Sequence, residues 1–195
     1  MDPKRTYEEG LTLLPGWTES GPEADARHER GRALILLAAE AGYRPAMVMM
    51  AHGMAKEASF SWAVRLAQRG ELNELATALT DSDFPVEEQR QVLAAAKTGE
   101  PWAQVAVGMV YGNGMQDMAT GEMVATQPDG YGWLPAAPDP EKESEKWLEA
   151  AADSGWAPAL LHLAYHYRLT APQRAVEALH KLQMQELTED GRTEV

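Results

Sequence analysis

Three stretches of this sequence repeat one short pattern, and that pattern leaves few folds open. The first is Ala38-Ala39-Glu40-Ala41-Gly42-Tyr43-Arg44-Pro45-Ala46. The second is Ala95-Ala96-Lys97-Thr98-Gly99-Glu100-Pro101-Trp102-Ala103, and the third Ala151-Ala152-Asp153-Ser154-Gly155-Trp156-Ala157-Pro158-Ala159. A paired Ala lets two helix backbones approach closely. The Gly that follows is able to end a helix in the left-handed conformation. A Pro two or three residues later suits the first turn of the next helix, where its missing N–H costs nothing. Each stretch therefore predicts a helix, a tight turn and a second helix.

The second helices agree as well. Val107, Gly108 and Tyr111 follow Ala103 at helical spacing; Leu163, Ala164 and Tyr167 follow Ala159, and Met50, Ala51 and Met54 follow Ala46. Gly112-Asn113-Gly114 then makes a strong stop. Hydrophobic residues make up 45% of the chain, with ten Met against two Phe, so the core is built from small and flexible helix formers. The expected fold class is all-α.

The pattern resembles the Sel1-like repeat, a relative of the tetratricopeptide repeat. The middle copy carries Ala95, Ala96, Gly99, Ala103, Gln104, Gly108, Tyr111 and Gly114 in the register of that family. The third adds its opening, with Asp139 as N-cap, Pro140 as first helical residue, Glu141 at the dipole's positive end, and Trp147 in the family's Trp position. The first and second copies depart from it, with Leu34 and Gln91 in that position. The resemblance implies a right-handed α-solenoid of helix-turn-helix repeats, approximately 23–57, 85–115 and 139–168, in a single domain over 1–195.

The three Gly markers stand 57 and 56 residues apart, longer than a helix-pair repeat, so chain has been inserted between copies. Residues 59–80, with Trp62, Leu66, Leu72, Leu75 and Leu79, read as extra helices, in the form of a decayed repeat. Residues 171–187 read as a C-terminal capping helix, with a frayed tail after it. The insertion at 115–138 differs in kind, being rich in Gly and Pro without helical period, and carries Tyr131 and Trp133. Aromatic side chains are costly to leave in water, so this loop is expected either to pack on the protein or to meet a partner.

Charge narrows the function classes. With 17 Lys and Arg against 30 Asp and Glu, the net charge is −13, which opposes phosphate backbones and anionic lipid heads. Nucleic acid and membrane insertion are therefore not expected; a basic protein partner fits, and acidity serving solubility alone fits equally. There is no Cys, hence no disulfide and no thiol nucleophile. The N-terminus lacks the apolar core of a signal peptide. The expected compartment is the cytoplasm, with the periplasm open to a chain whose leader was removed.

Chemistry is sparse. No nucleophile elbow, phosphate-binding loop, dinucleotide fingerprint or His-Glu-x-x-His motif occurs, so neither an enzyme nor a cofactor is expected. His162 and His166 lie four apart on one helical face, but no third ligand shares their spacing, which favours a surface stripe over a metal site. Acidic residues gather at helix starts, among them Glu87, Glu141 and Glu145. Dipole matching explains them; by the resemblance, first helices also line a concave face, where they would form an acidic groove.

Sel1-like proteins act as adaptors and scaffolds, and some small bacterial members neutralise toxins of the type VI secretion system. The resemblance thus implies an immunity protein that binds a basic toxin stoichiometrically, with a regulatory adaptor as the alternative. The candidate partner-binding residues are Tyr131, Trp133, Trp102, Trp156, Glu141, Glu145 and Glu87, while Trp147 is expected to be structural. The pattern specifies no oligomeric state.

Overall fold

The computed structural model describes residues 2–16, 19–54, 58–81, 84–112 and 132–193, with side chains of the last helix described as far as Gln185. The described residues form α-helices and no strands. In chain order these are α1 (Pro3–Leu13), α2 (Pro22–Glu40), α3 (Arg44–Met49), α4 (Ser59–Ala67), α5 (Asn73–Thr80), α6 (Val86–Lys97), α7 (Pro101–Gly112), α8 (Pro140–Asp153), α9 (Ala157–Tyr167) and α10 (Pro172–Thr193). A wide turn, Met50–Met54, continues α3 and breaks at Gly53, whose φ is 102°. Helix α10 runs to Thr193, so the expected fraying after residue 187 is not seen in the backbone.

The three marked hairpins close as their glycines require. Gly42, Gly99 and Gly155 have φ of 83°, 97° and 78°. Each donates its N–H to the carbonyl three residues back: Ala39 at 2.9 Å, Ala96 at 3.1 Å and Ala152 at 3.0 Å. In the first two, the next N–H also returns to the helix, Tyr43 to Ala38 and Glu100 to Ala95, which satisfies carbonyls a helix end otherwise leaves unpaired. Pro45, Pro101 and Pro158 then stand in the first turn of the following helix. The segment between copies one and two makes the same joint, with Gly70 at φ 92° and Glu71 N–H donating to Leu66 O at 3.0 Å.

Two compact units make up the chain, Met1–Leu75 and Ala76–Val195. In the first unit α1 packs along α2, and α3 with its wide turn packs on α2 and α4. In the second unit α7 packs against α6, α8 and α9, and α9 pairs with α10.

Both units rest on close helix crossings. At α1–α2, Gly10 and Gly31 face each other; a Cβ on Gly31 would lie 2.8 Å from Gly10 O. At α7–α8, Ser144 is fully buried and its hydroxyl donates to Gly108 O at 2.7 Å, while a Cβ on Gly108 would meet Leu148 at 3.1 Å. Gly108 thus lets the second marked hairpin meet the first helix of the third. Around these crossings the core is Ala, Leu, Val and Met, including Ile35, Met50 and Leu66 in the first unit and Leu79, Val105, Val107 and Leu160 in the second. Complete burial of such a side chain contributes about 1.5–3 kcal/mol.

Candidate functional site

Helix α8 starts as its sequence dictates. The Asp139 carboxylate accepts the Lys142 N–H at 3.1 Å, Pro140 occupies the first helical position, and Glu141 and Glu143 stand in the first turn. Residues four apart share a helix face, so Glu145 and Glu149 present their carboxylates together. Tyr167 reaches them from α9 and Arg174 from α10.

The result is a compact polar network. The Tyr167 hydroxyl donates to the Glu145 carboxylate and lies 3.1 Å from Glu149 Oε1. The Arg174 guanidinium pairs with both carboxylates, one through each terminal nitrogen. Its central carbon stands 4.0 Å over the Tyr167 ring, within cation–π range. The Tyr167 hydroxyl and Arg174 hold the Glu145 carboxyl below its usual range, against the opposing pull of partial burial. Burial and the two facing carboxylates push the Tyr167 hydroxyl well above its ordinary range, so it stays protonated and acts as a donor. The Arg174–glutamate pairs are partly exposed, so water and salt screen them and they contribute little to stability.

Tyr167 and Arg174 separate two surface pockets. One, of about 280 Å³, is walled by Asp139, Glu141, Glu145, Lys142 and His166. The other, of about 110 Å³, lies toward Glu149, Leu160, Leu163, Glu177 and Lys181. The first is shallow, open and charged, suited to a side chain from another protein rather than to an enclosed small molecule.

The structure brings together two of the seven sequence-expected site residues. Glu141 and Glu145 line the same pocket. Glu87 is exposed in the first turn of α6, 3.7 Å from Arg90, away from those pocket walls. Trp102 is half-buried in the first turn of α7, and Trp156 half-buried at the N-cap of α9. Tyr131 lies outside the described residues.

Trp133 turns inward rather than toward a partner: it is 4% exposed, and its indole N–H donates to Leu79 O at 3.0 Å. The cause is the end of α5, whose last carbonyls need donors. The buried Gln89 amide supplies others, at 3.3 Å from Ala78 O and 3.1 Å from Asp81 O. The Tyr111 hydroxyl likewise holds Pro135 O at 2.8 Å, so the described end of the insertion packs on the protein.

Sequence reading missed the network itself. Tyr167 was expected only as a packed repeat position, and Glu149 and Arg174 were not singled out. The available signal was the four-residue spacing of Glu145 and Glu149. His162 and His166 are both half-buried; burial pushes the His162 imidazole below its ordinary value. Among the described residues no three His, Cys, Asp or Glu side chains gather in a way that would hold a metal ion, and no helix is long and apolar enough to cross a membrane. No protein-family model matches this sequence, and no curated protein or solved structure shows significant similarity to it.

Proposed function

We propose that this chain is a Sel1-like repeat protein that acts by binding another protein, in the form of an immunity protein that captures a basic toxin one to one and blocks its active site or its access to substrate. The observation carrying this reading is the acidic pocket at the start of the third marked hairpin. There Glu141 and Glu145, from a helix start, stand beside the Tyr of the repeat. Lys142 already holds Asp139 and Arg174 holds Glu145, so Glu141 is the carboxylate that would receive a Lys or Arg side chain, and the net charge of −13 would steer a basic partner toward it. The three marked turns, each closed by a left-handed Gly, support the repeat reading.

The test is capture with this protein as bait, against its native lysate and the products of adjacent genes. One near-stoichiometric basic partner, with binding weakened about tenfold or more by Glu141→Lys, is the expected result. Its toxicity to cells should be relieved by co-expression of the unaltered chain and not of the variant. Several weak partners indifferent to Glu141→Lys would replace the immunity reading with that of a general adaptor.

A further inference from the structure

The charges around the larger pocket nearly cancel. Three carboxylates line it, from Asp139, Glu141 and Glu145, against two cations, Lys142 and Arg174. Lys142 stands 2.7 Å from Asp139, and Arg174 pairs with Glu145. Glu149 lies beyond Tyr167, on the smaller pocket. Glu141 is exposed and, among the described residues, has no basic partner. The balance is therefore a single negative charge, and Glu141 carries it.

His166 is the remaining group that decides whether this balance holds. It stands in the same pocket wall, half-buried on α9, with its ring 5.2 Å from that of Tyr167 and inclined to it at 68°. The Tyr167 hydroxyl foremost, then Arg174 and last His166 hold the Glu145 carboxyl below its usual range, so the imidazole is near enough for its charge to be felt across the pocket. Histidine is the side chain whose charge ordinarily changes between pH 5 and 8, where carboxylates stay ionised and Lys and Arg stay charged. A neutral imidazole leaves the pocket negative. A protonated one cancels that charge and competes with any incoming cation. His162, one turn earlier on α9, does not line this pocket and leaves its balance unchanged.

We propose that His166 controls this pocket by its protonation: on the reading of the pocket as the seat of a partner's Lys or Arg, that side chain is held at neutral pH and released in acid. The coupling runs both ways, since a guest cation that is repelled by the imidazolium must itself make the imidazole harder to protonate.

The experiment uses the whole chain and an arginine-rich peptide of about ten residues, at low salt so that charge is not screened. Fluorescence anisotropy at pH 7.5 and 5.5 should show binding about threefold or more weaker in acid. His166→Gln, neutral throughout, should bind alike at both values, and His166→Lys should bind weakly at both. His162→Gln should keep the pH dependence. With peptide bound, the His166 imidazole resonance should titrate about half a pH unit or more lower, the equivalent of a threefold effect. An unchanged circular dichroism spectrum at both values checks that each variant is folded. A pH dependence that persists in His166→Gln overturns the proposal. So does pH-independent binding that Glu141→Gln still weakens, an outcome that leaves the pocket reading in place. Binding that is absent, or indifferent to Glu141→Gln, removes the pocket reading and the control by His166 with it.

Discussion

The crossings of α1 with α2 and of α7 with α8 solve one problem in two ways. In both, glycine removes a side chain so that two helix backbones can approach. At α1–α2, Gly10 and Gly31 each lie against the other's carbonyl oxygen, with Ile35 and Leu14 side chains packed beside them. At α7–α8 the neighbours of Gly108 are the end of Leu148 and the backbone of Ser144, and a side-chain hydroxyl ties the helices together. In the first crossing the limit is set by two carbonyl oxygens, which move only with their helices. The second adds a directed bond and a neighbour that is able to move.

Alanine at the two glycines should separate these designs. In Gly31→Ala the new Cβ would lie 2.8 Å from Gly10 O, so a helix must shift. Alanine is the better helix former by about 1 kcal/mol, yet overpacking of this kind costs about 1–3 kcal/mol and occasionally more. A net loss of about 1–2 kcal/mol in urea unfolding is expected from the hard backbone contact, with hydrogen exchange rising in α1 and α2. Wild-type stability would mean that the crossing is loose. Ser144→Ala should cost about 1 kcal/mol, the worth of one buried hydrogen bond, and should raise exchange in α7 and α8 instead.

How far the sequence foretold these features follows from how local each one is. The hairpins were legible because a left-handed Gly and a following Pro act within five residues of chain, and Gly42, Gly99 and Gly155 all behave as their spacing predicts. Helix α1 was missed although it opens with the same device as α8: Asp2 accepts the Lys4 N–H just as Asp139 accepts that of Lys142. The N-terminus was read only for an apolar leader, and the Asp-Pro signature went unused. Gly10 and Gly31 gave no signal, because glycine inside a helix pattern means either a weak helix or a close neighbour, and only the fold decides between them. Glu141 and Glu145 were found through their place at a helix start. The partners that organise Glu145, Tyr167 and Arg174, come from two other helices, 22 and 29 residues away. For Trp133 the sequence left packing and partner binding both open for a related reason: its hydrogen-bond acceptor, Leu79 O, lies 54 residues away.

Acid should act on the second unit first through His162 and then through carboxylates, Glu145 among them. His162 has a folded pKa lowered by burial from the ordinary 6.5. As pH falls through 6.5 the unfolded chain takes up that proton first, so stability declines from there downward until the folded imidazole is protonated as well. Glu145, held below 4.5 by Tyr167 and Arg174, repeats the loss at lower pH: its contribution is present above 4.5 and disappears as pH falls through the folded value. Urea midpoints measured from pH 7.5 down to 3.5 should show both declines. His162→Gln should remove the upper one and leave the lower. An upper decline unchanged in that variant would place its source elsewhere.

The smallest effect is the most exacting test of the contrast between the crossings. Gly108→Ala puts a Cβ 3.1 Å from Leu148 Cγ and 3.2 Å from Ser144 O, contacts that require a shift of a few tenths of an ångström rather than a displaced helix. Leu148 is a branched side chain with alternative rotamers, so part of that shift costs little. The gain in helix propensity, about 1 kcal/mol, then offsets the strain. The stability of Gly108→Ala should stay within about 0.5 kcal/mol of the original chain, while the identical substitution at Gly31 is clearly damaging. A loss at Gly108 as large as at Gly31 would mean that α7 and α8 are pinned as rigidly as α1 and α2. The Ser144 hydroxyl would then be holding Gly108 O at a distance that leaves the helices no room to part, and Ser144→Ala combined with Gly108→Ala should recover part of the loss.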